Sequence, residues 1–533
     1  MIRKLFWMIL AMLLVAGCGT PVPPTVSATG VPPHTPTPFA SLWSTATAIA
    51  PFQPTATLTA TAIASVEPSS TPTTIAPSPT LSPLATATPT PLTPTATATP
   101  LSTHTPSPTP SPRVAVWEGT VTLMSYGWKA ALVTTAADDP IYPYPRLNRD
   151  LVVPPAPRTY KTVVLENDYV RLTVLPELGG RLYRWLDKTD GRELFYVNPV
   201  LKPTHWGARG WWLATGGMEW AFPVEEHGLI ESRPWRYQVA SDRYAASIAL
   251  SDQDDRTGLA VEVVVVLEAG HSYLTIRPRI HNPTETEHPY QFWLNGMFAL
   301  SPANRPSPDL RFTLPGNTVT IHSTGDRGLP DAGEEMSWPI YDSRDMSRYG
   351  NWKRWLGIFC RDAEYMGAYD PTSEMGVVRV FPSAIAKGAK IFGPAGIAPA
   401  TWTDDESGYV ELWGGLTPTF WDYASLPPGR SISWEERWYS LSGLGGLSYA
   451  NDDAALWLAP SAGQVQVGAL TTAPMTGRLV LWRDGQVVAT WTVKTAPGSP
   501  FGSSQPAGNG GNWGLHLLDT DGQPVAAYGT VGP

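Results

Sequence analysis

Two glutamates and a histidine are the residues of this chain best suited, by type and setting, to move protons. Glu411 sits between Val410 and Leu412 in an alternating segment, with Tyr409 and Trp413 close by. A period of two turns it away from its apolar neighbours, either toward a ligand or toward solvent. Glu219 follows Gly216-Gly217 with one residue between and precedes Trp220. Glycines let the backbone approach a ligand, and a carboxylate beside an aromatic ring can hold two hydroxyls while the ring stacks. A turn carrying an exposed acid has the same sequence. Together the two glutamates offer the paired carboxylates that glycoside hydrolysis uses, provided their separation suits it. His227, in Glu225-Glu226-His227, is the first choice for a general acid, and His205 the second. A surface or structural histidine is the other reading of each. Arg181, in Gly179-Gly180-Arg181-Leu182, fits a carboxylate, a sugar hydroxyl or a strand-end ion pair equally well.

Aromatic residues gather near these positions. Trp206, Trp211, Trp212 and Trp220 crowd one region beside Arg209, within a chain holding 23 tryptophans. Flat rings stack on the apolar faces of pyranosides, and a guanidinium supplies paired donors, so the group reads as a sugar platform. Packing between two sheets would use the same residues. No Cys/His metal spacing, P-loop, dinucleotide fingerprint or serine nucleophile elbow occurs, so no metal and no cofactor is expected. A net charge of −9 without basic clusters argues against nucleic acid as a partner.

The elements that must position these residues are strands. Val170, Leu172 and Val174 alternate with polar neighbours, and 181–186 turns at Thr189-Asp190-Gly191 into 193–197 as a hairpin. Further strands are expected over 259–267, 273–280, 290–299 and 408–413, and no long helical period appears. Many short strands over roughly 300 residues imply a large antiparallel sandwich over 113–442. After a Gly-rich joint at 442–447, the hairpin 477–482/487–493 turning at Asp484-Gly485 implies a small immunoglobulin-like β-sandwich over 443–533.

The stretch from Val116 to Trp438 resembles a bacterial domain family of unknown function with a galactose-mutarotase-like fold, often found ahead of tetratricopeptide repeats. The likeness rests on Leu165-Glu166-Asn167-Asp168-Tyr169, Leu175-Pro176-Glu177-Leu178-Gly179-Gly180-Arg181-Leu182 and Gly216-Gly217-Met218-Glu219-Trp220-Ala221-Phe222-Pro223. Phe292-Trp293-Leu294-Asn295, Trp338-Pro339 with Asp345, and Tyr409-Val410-Glu411-Leu412-Trp413-Gly414-Gly415 add to it. The resemblance implies an all-β, galactose-mutarotase-like β-supersandwich that meets a mono- or oligosaccharide. In aldose mutarotases a late-strand glutamate takes the proton of the anomeric hydroxyl while a histidine protonates the ring oxygen. Glu411 corresponds to that base, with His227 or Glu219 as acid, and Asn295 and Asp345 enter as further candidates only because they fall in matching blocks. The histidine-and-glycine signature of true aldose epimerases is absent. A glycan-capture module without catalysis, or a structural surface lipoprotein, is the alternative.

The N-terminus sets an expected location. Basic Arg3-Lys4, an apolar run from Leu5 to Val15 and Leu14-Val15-Ala16-Gly17-Cys18 resemble a bacterial lipoprotein signal over 1–18, with Cys18 lipidated. Residues 19–112 are rich in Thr, Pro, Ala and Ser, with Glu67 their only formal charge, and read as a disordered tether. The expectation is therefore an exported protein, lipid-anchored to the cell membrane or outer membrane. Gly19 lacks the aspartate that signals inner-membrane retention. Cys360, in Leu356-Gly357-Ile358-Phe359-Cys360, reads as a buried small hydrophobe.

Overall fold

Alternation of apolar and polar side chains organises this protein from Ala115 onward, and the computed structural model is nearly all β. It describes residues 113–461, 463–506 and 510–529; Cys18 and the Thr/Pro-rich segment lie outside them. Among the described residues the helical segments are single 3-10 turns, and no helix is long and apolar enough to cross a membrane.

A 14-stranded sheet faces a nine-stranded sheet. Seven strands of the larger one matter for the site: β1 (Arg181–Asp187), β2 (Met218–Ala221), β3 (Trp293–Phe298), β4 (Thr318–Thr324), β5 (Leu356–Cys360), β6 (Gly388–Gly393) and β7 (Val410–Gly415). They lie side by side in the order β4-β5-β6-β7-β3-β2-β1. Leu182, Leu294, Ile358, Ile391 and Leu412 of this run meet Ile248, Val263, Val265, Ile276 and Trp438 of the opposing sheet in one core. Each such fully buried aliphatic side chain contributes about 1.5–3 kcal/mol. Residues one position along each strand therefore point to the outer face of the large sheet, which is where the polar residues of the site collect.

The hairpin expected at 181–197 forms between β1 and Arg192–Glu193. The strand expected over 290–299 is divided: His288–Tyr290 pairs with Ala424–Leu426, whereas β3 pairs with β2 and β7. Gln291 causes the break. Its amide nitrogen donates to the Phe420 carbonyl, its side-chain oxygen accepts from Trp293 Nε1, and its backbone N–H leaves the ladder for the Pro223 carbonyl.

Beyond residue 448, two four-stranded sheets enclose a separate apolar core that includes Leu456, Val467, Leu479, Leu481, Leu515 and Leu517. The hairpin Met475–Arg483/Gln486–Thr495 turns at Asp484-Gly485 with φ of 48° and 80°, the left-handed pair that a two-residue hairpin requires. The Gly-rich joint is packed: Leu444 joins Tyr365, Tyr369, Val378 and Tyr439 of the first sandwich and Ala455 and Leu470 of the second in one cluster. Cys360 is buried, and burial pushes its thiol up to about 12, so it behaves as a small hydrophobe.

Candidate functional site

The sharp turn at Gly216-Gly217 makes the site possible. Both residues have positive φ, and a Cβ on Gly217 would sit 2.3 Å from the Leu182 carbonyl oxygen. Only glycine lets the chain pass β1 this closely and enter β2 between β1 and β3. Met218 and Trp220 then point into the inter-sheet core, and Glu219 points to the outer face opposite Asn295 of β3.

Glu219 is 1% exposed and fully engaged. Arg181 Nη2 donates to one carboxylate oxygen at 2.6 Å, while His227 Nδ1 at 2.5 Å and Asn295 Nδ2 at 3.1 Å meet the other. Burial alone would raise its pKa, but Arg181 and His227 outweigh this and hold the carboxyl at about 2. A group that stays ionised cannot serve as a general acid at neutral pH, so that expected role does not fit the geometry. Glu219 instead orients a histidine. Arg181 also donates to the Gly216 carbonyl at 3.0 Å and is 1% exposed, the ion-pair alternative of its sequence reading.

His227 follows the tight turn after Pro223, where Glu226 and Gly228 both adopt positive φ. Its ring stacks on Trp212, with centroids 3.8 Å apart and planes at 13°. A carboxylate only accepts, so the contact with Glu219 places a proton on Nδ1. Nε2 is left without a hydrogen bond to any described residue. Burial disfavours the charged ring, but the Glu219 carboxylate prevails and holds the imidazole above its ordinary pKa.

Glu411 of β7 faces the same way, opposite to Val410 and Leu412 in the core. Trp413 Nε1 donates to one of its oxygens at 2.8 Å and Asn295 Nδ2 approaches the other at 3.4 Å. Asn295 thus ties the two glutamates together. Burial raises the Glu411 carboxyl above the usual carboxylate range, against the opposing pull of Lys390 and His227. The site therefore holds a carboxyl shifted up and an imidazole shifted up, both at the wall of one cleft.

That cleft has a volume of about 540 Å³, the size of small-molecule sites. Trp212, Trp402, Tyr409, Trp413 and Phe392 wall it, and Trp206, 43% exposed, stands at its mouth. Two titratable lining residues escaped sequence reasoning. Lys390 of β6 lies opposite Trp413 and is 2% exposed. His322 of β4 is driven down to about 2 by burial and the nearby Lys390 charge, so its ring is neutral. The one signal for Lys390 was an alternating strand, Ala389-Lys390-Ile391-Phe392, with no motif around it.

Six expected substrate contacts lie away from the cleft walls, among them Arg181 and Asn295, which are held on the glutamates. Trp220 packs in the inter-sheet core and donates to the Gly180 carbonyl at 3.0 Å. Trp211 is buried in another cluster with Trp128 and Leu213, because it and Trp212 are consecutive and project to different sides. Arg209 is buried with its Nη2 on the Glu231 carboxylate and its guanidinium 4.1 Å from the Trp211 ring centroid, so its charge is already paired away from the cleft. Asp345 sits on a short hairpin, where it pairs with Arg311 at 3.1 Å and caps Ser347. His205 is exposed and does not line the cleft.

A TPR-domain containing protein from Parabacteroides distasonis shares 22% identity at a TM-score of 0.54, covering 62% of this chain and 55% of that one. The chain thus spans about half the length of that relative. A galactose mutarotase related enzyme from Lactobacillus acidophilus, 12% identical, covers 53% of this chain and 98% of its own at a TM-score of 0.38. A galactose mutarotase-like protein from Clostridium acetobutylicum, 12% identical, covers 53% and 95% at 0.37. Residues 449–528 match the second domain of YphG-like proteins. Residues 136–425, more than half of the chain, match the domain of unknown function DUF5107, and the chain belongs to that family.

Proposed function

We propose that the cleft binds a saccharide and exchanges protons at its anomeric centre, with Glu411 as base and His227 as acid. The observation that carries this reading is the division of labour around Asn295. One carboxylate, Glu219, is held ionised at about 2 and aligns His227; the other, Glu411, is shifted up by burial. A carboxylate base and an imidazole acid work best with pKa values drawn toward neutral pH, and both Glu411 and His227 are shifted that way. Glu411 takes the proton of the anomeric hydroxyl, His227 Nε2 delivers one to the ring oxygen, and the ring C–O bond opens to the free aldehyde. Closure on either face returns both protons, so the step needs no oxidant, reductant or water. Trp206, 43% exposed, supplies a flat apolar surface on which a pyranose rests, and Trp212 and Trp413 wall the cleft. Hydrolysis by the two carboxylates is less well supported, because Glu219 is bound on both oxygens and stays ionised.

Glycan capture without turnover is the second reading, favoured by Trp206 standing 43% exposed at the cleft mouth. The sequence around Cys18 supports an extracytoplasmic, lipid-anchored setting for either activity. Two-dimensional NMR exchange between the α and β anomers of free aldoses separates them. The first reading expects enzyme-dependent cross-peaks beyond the spontaneous rate; binding seen by tryptophan fluorescence with no such exchange on any aldose supports capture instead.

A further inference from the structure

Four lysine or arginine side chains are buried among the described residues: Arg181, Arg209, Arg379 and Lys390. Three of them have a carboxylate partner. Arg181 is on Glu219 at 2.6 Å, Arg209 is on Glu231, and Arg379 is on Glu436 at 2.8 Å and also donates to the Gly388 carbonyl. Lys390 is the exception. It is 2% exposed, lines the cleft, and forms no hydrogen bond or ion pair with any described residue. Its ammonium lies 4.6 Å from the ring centroids of both Trp413 and Phe420 and 5.2 Å from that of Phe392.

Aromatic faces attract a cation but accept none of its three N–H donors in full hydrogen bonds. A buried ammonium is tolerated when something accepts those donors, and the protein's own anions are not placed to do so. Glu411 and Glu226 act on Lys390 only through their fields, and both oxygens of Glu411 already receive N–H groups from Trp413 and Asn295. His322, the remaining titratable neighbour, is neutral. The missing partner belongs to whatever fills the cleft.

We infer that the cleft is built for a saccharide carrying an anionic oxygen substituent, a carboxylate or a sulfate, which the Lys390 ammonium receives. The inference rests on the carbohydrate reading above and narrows its substrate class to acidic sugars. The acidic group binds at the β6 side of the cleft, and the anomeric centre lies toward Glu411 and His227. A neutral sugar offers these donors only hydroxyl oxygens; a uronate or sulfated sugar meets them with charge-assisted bonds.

Calorimetric titration of the full chain with matched methyl glycosides tests this. The pairs are galactoside and galacturonoside, glucoside and glucuronoside, with the 6-sulfated glycosides as a third arm that separates carboxylate from sulfate. The expected result is that one acidic member binds at least about tenfold more tightly than its neutral counterpart at neutral pH and low salt. K390M should reduce that preference, read as the ratio of the two dissociation constants, to less than about twofold. K390R should restore part of it, and it carries the test if K390M does not fold by circular dichroism. Equal binding of neutral and acidic members overturns the inference and leaves the carbohydrate reading standing. An undiminished preference in K390M also overturns it. If no glycoside of either kind binds, both readings fall.

Discussion

The His227 imidazole lies flat on the Trp212 indole, 3.8 Å between centroids, while its Nδ1 meets Glu219 at 2.5 Å. Stack and hydrogen bond together leave the ring a single orientation, with Nε2 free for a ligand. An indole face also favours the cationic ring, by about 0.5–2 kcal/mol. Trp212→Leu is therefore expected to lower the His227 pKa, read from its imidazole C–H shifts by NMR titration. It should also slow anomer exchange by about tenfold. An unchanged titration would show that the stack is packing alone.

Arg181 and Glu219 form a buried ion pair, each 1% exposed. Removing one partner of such a pair typically costs about 3–5 kcal/mol, because the other charge is left uncompensated. Arg181→Met should lower the urea midpoint accordingly. The pair also sets an acid limb. Glu219 is depressed to about 2 from an unfolded value near 4.5, so its contribution is present above pH 4.5 and is lost as pH falls toward 2. That part of the wild-type stability profile should flatten in the variant, and a parallel profile would contradict the assignment.

Lys390 shifts in the opposite sense to a stabilising lysine. Burial lowers it to about 8 from 10.5, so between these values the unfolded chain holds a proton that the folded one has released. Stability then rises with pH across that window, and the cost of the buried charge is complete below it. Lys390→Met should accordingly stabilise the ligand-free protein by roughly 1–3 kcal/mol at neutral pH. Denaturant titrations at neutral pH and above pH 10.5 should show the gain shrinking toward zero. A constant gain would mean that packing, and not charge, is responsible.

Gly217 carries a backbone demand rather than a chemical one. With φ at 70° and the Leu182 carbonyl 2.3 Å from where a Cβ would lie, Gly217→Ala must displace β2 or strain it. A loss of about 1–3 kcal/mol is expected, together with weaker sugar binding as Glu219 moves relative to His227. A variant of wild-type stability and affinity would remove the turn from the account.

Much of this was legible in one dimension. The alternation at 409–413 puts Val410 and Leu412 in the core and Glu411 with Trp413 on the cleft face, and the glycine pair before Glu219 announces a close backbone approach. What sequence could not supply was pairing across the fold. Glu231 and Arg209 are separated by 22 residues, and nothing local tells that the guanidinium is already spoken for. Trp211 and Trp212 are neighbours outside any strand, so no period says which of them faces the cleft. Lys390 was missed because a lysine in an apolar strand carries no motif; only the register opposite Trp413 gives it meaning. Asn295, included for its setting in a matching block, is the residue that joins both glutamates.

The central claim is that Glu411 moves the proton, and Glu411→Gln tests it most directly. The amide keeps the shape of the side chain and can still meet Trp413, but it cannot act as a base. Anomer exchange and sugar binding measured side by side should show turnover falling by at least about a hundredfold, with affinity changed less than about threefold. Exchange that proceeds in the variant at the wild-type rate would contradict the account.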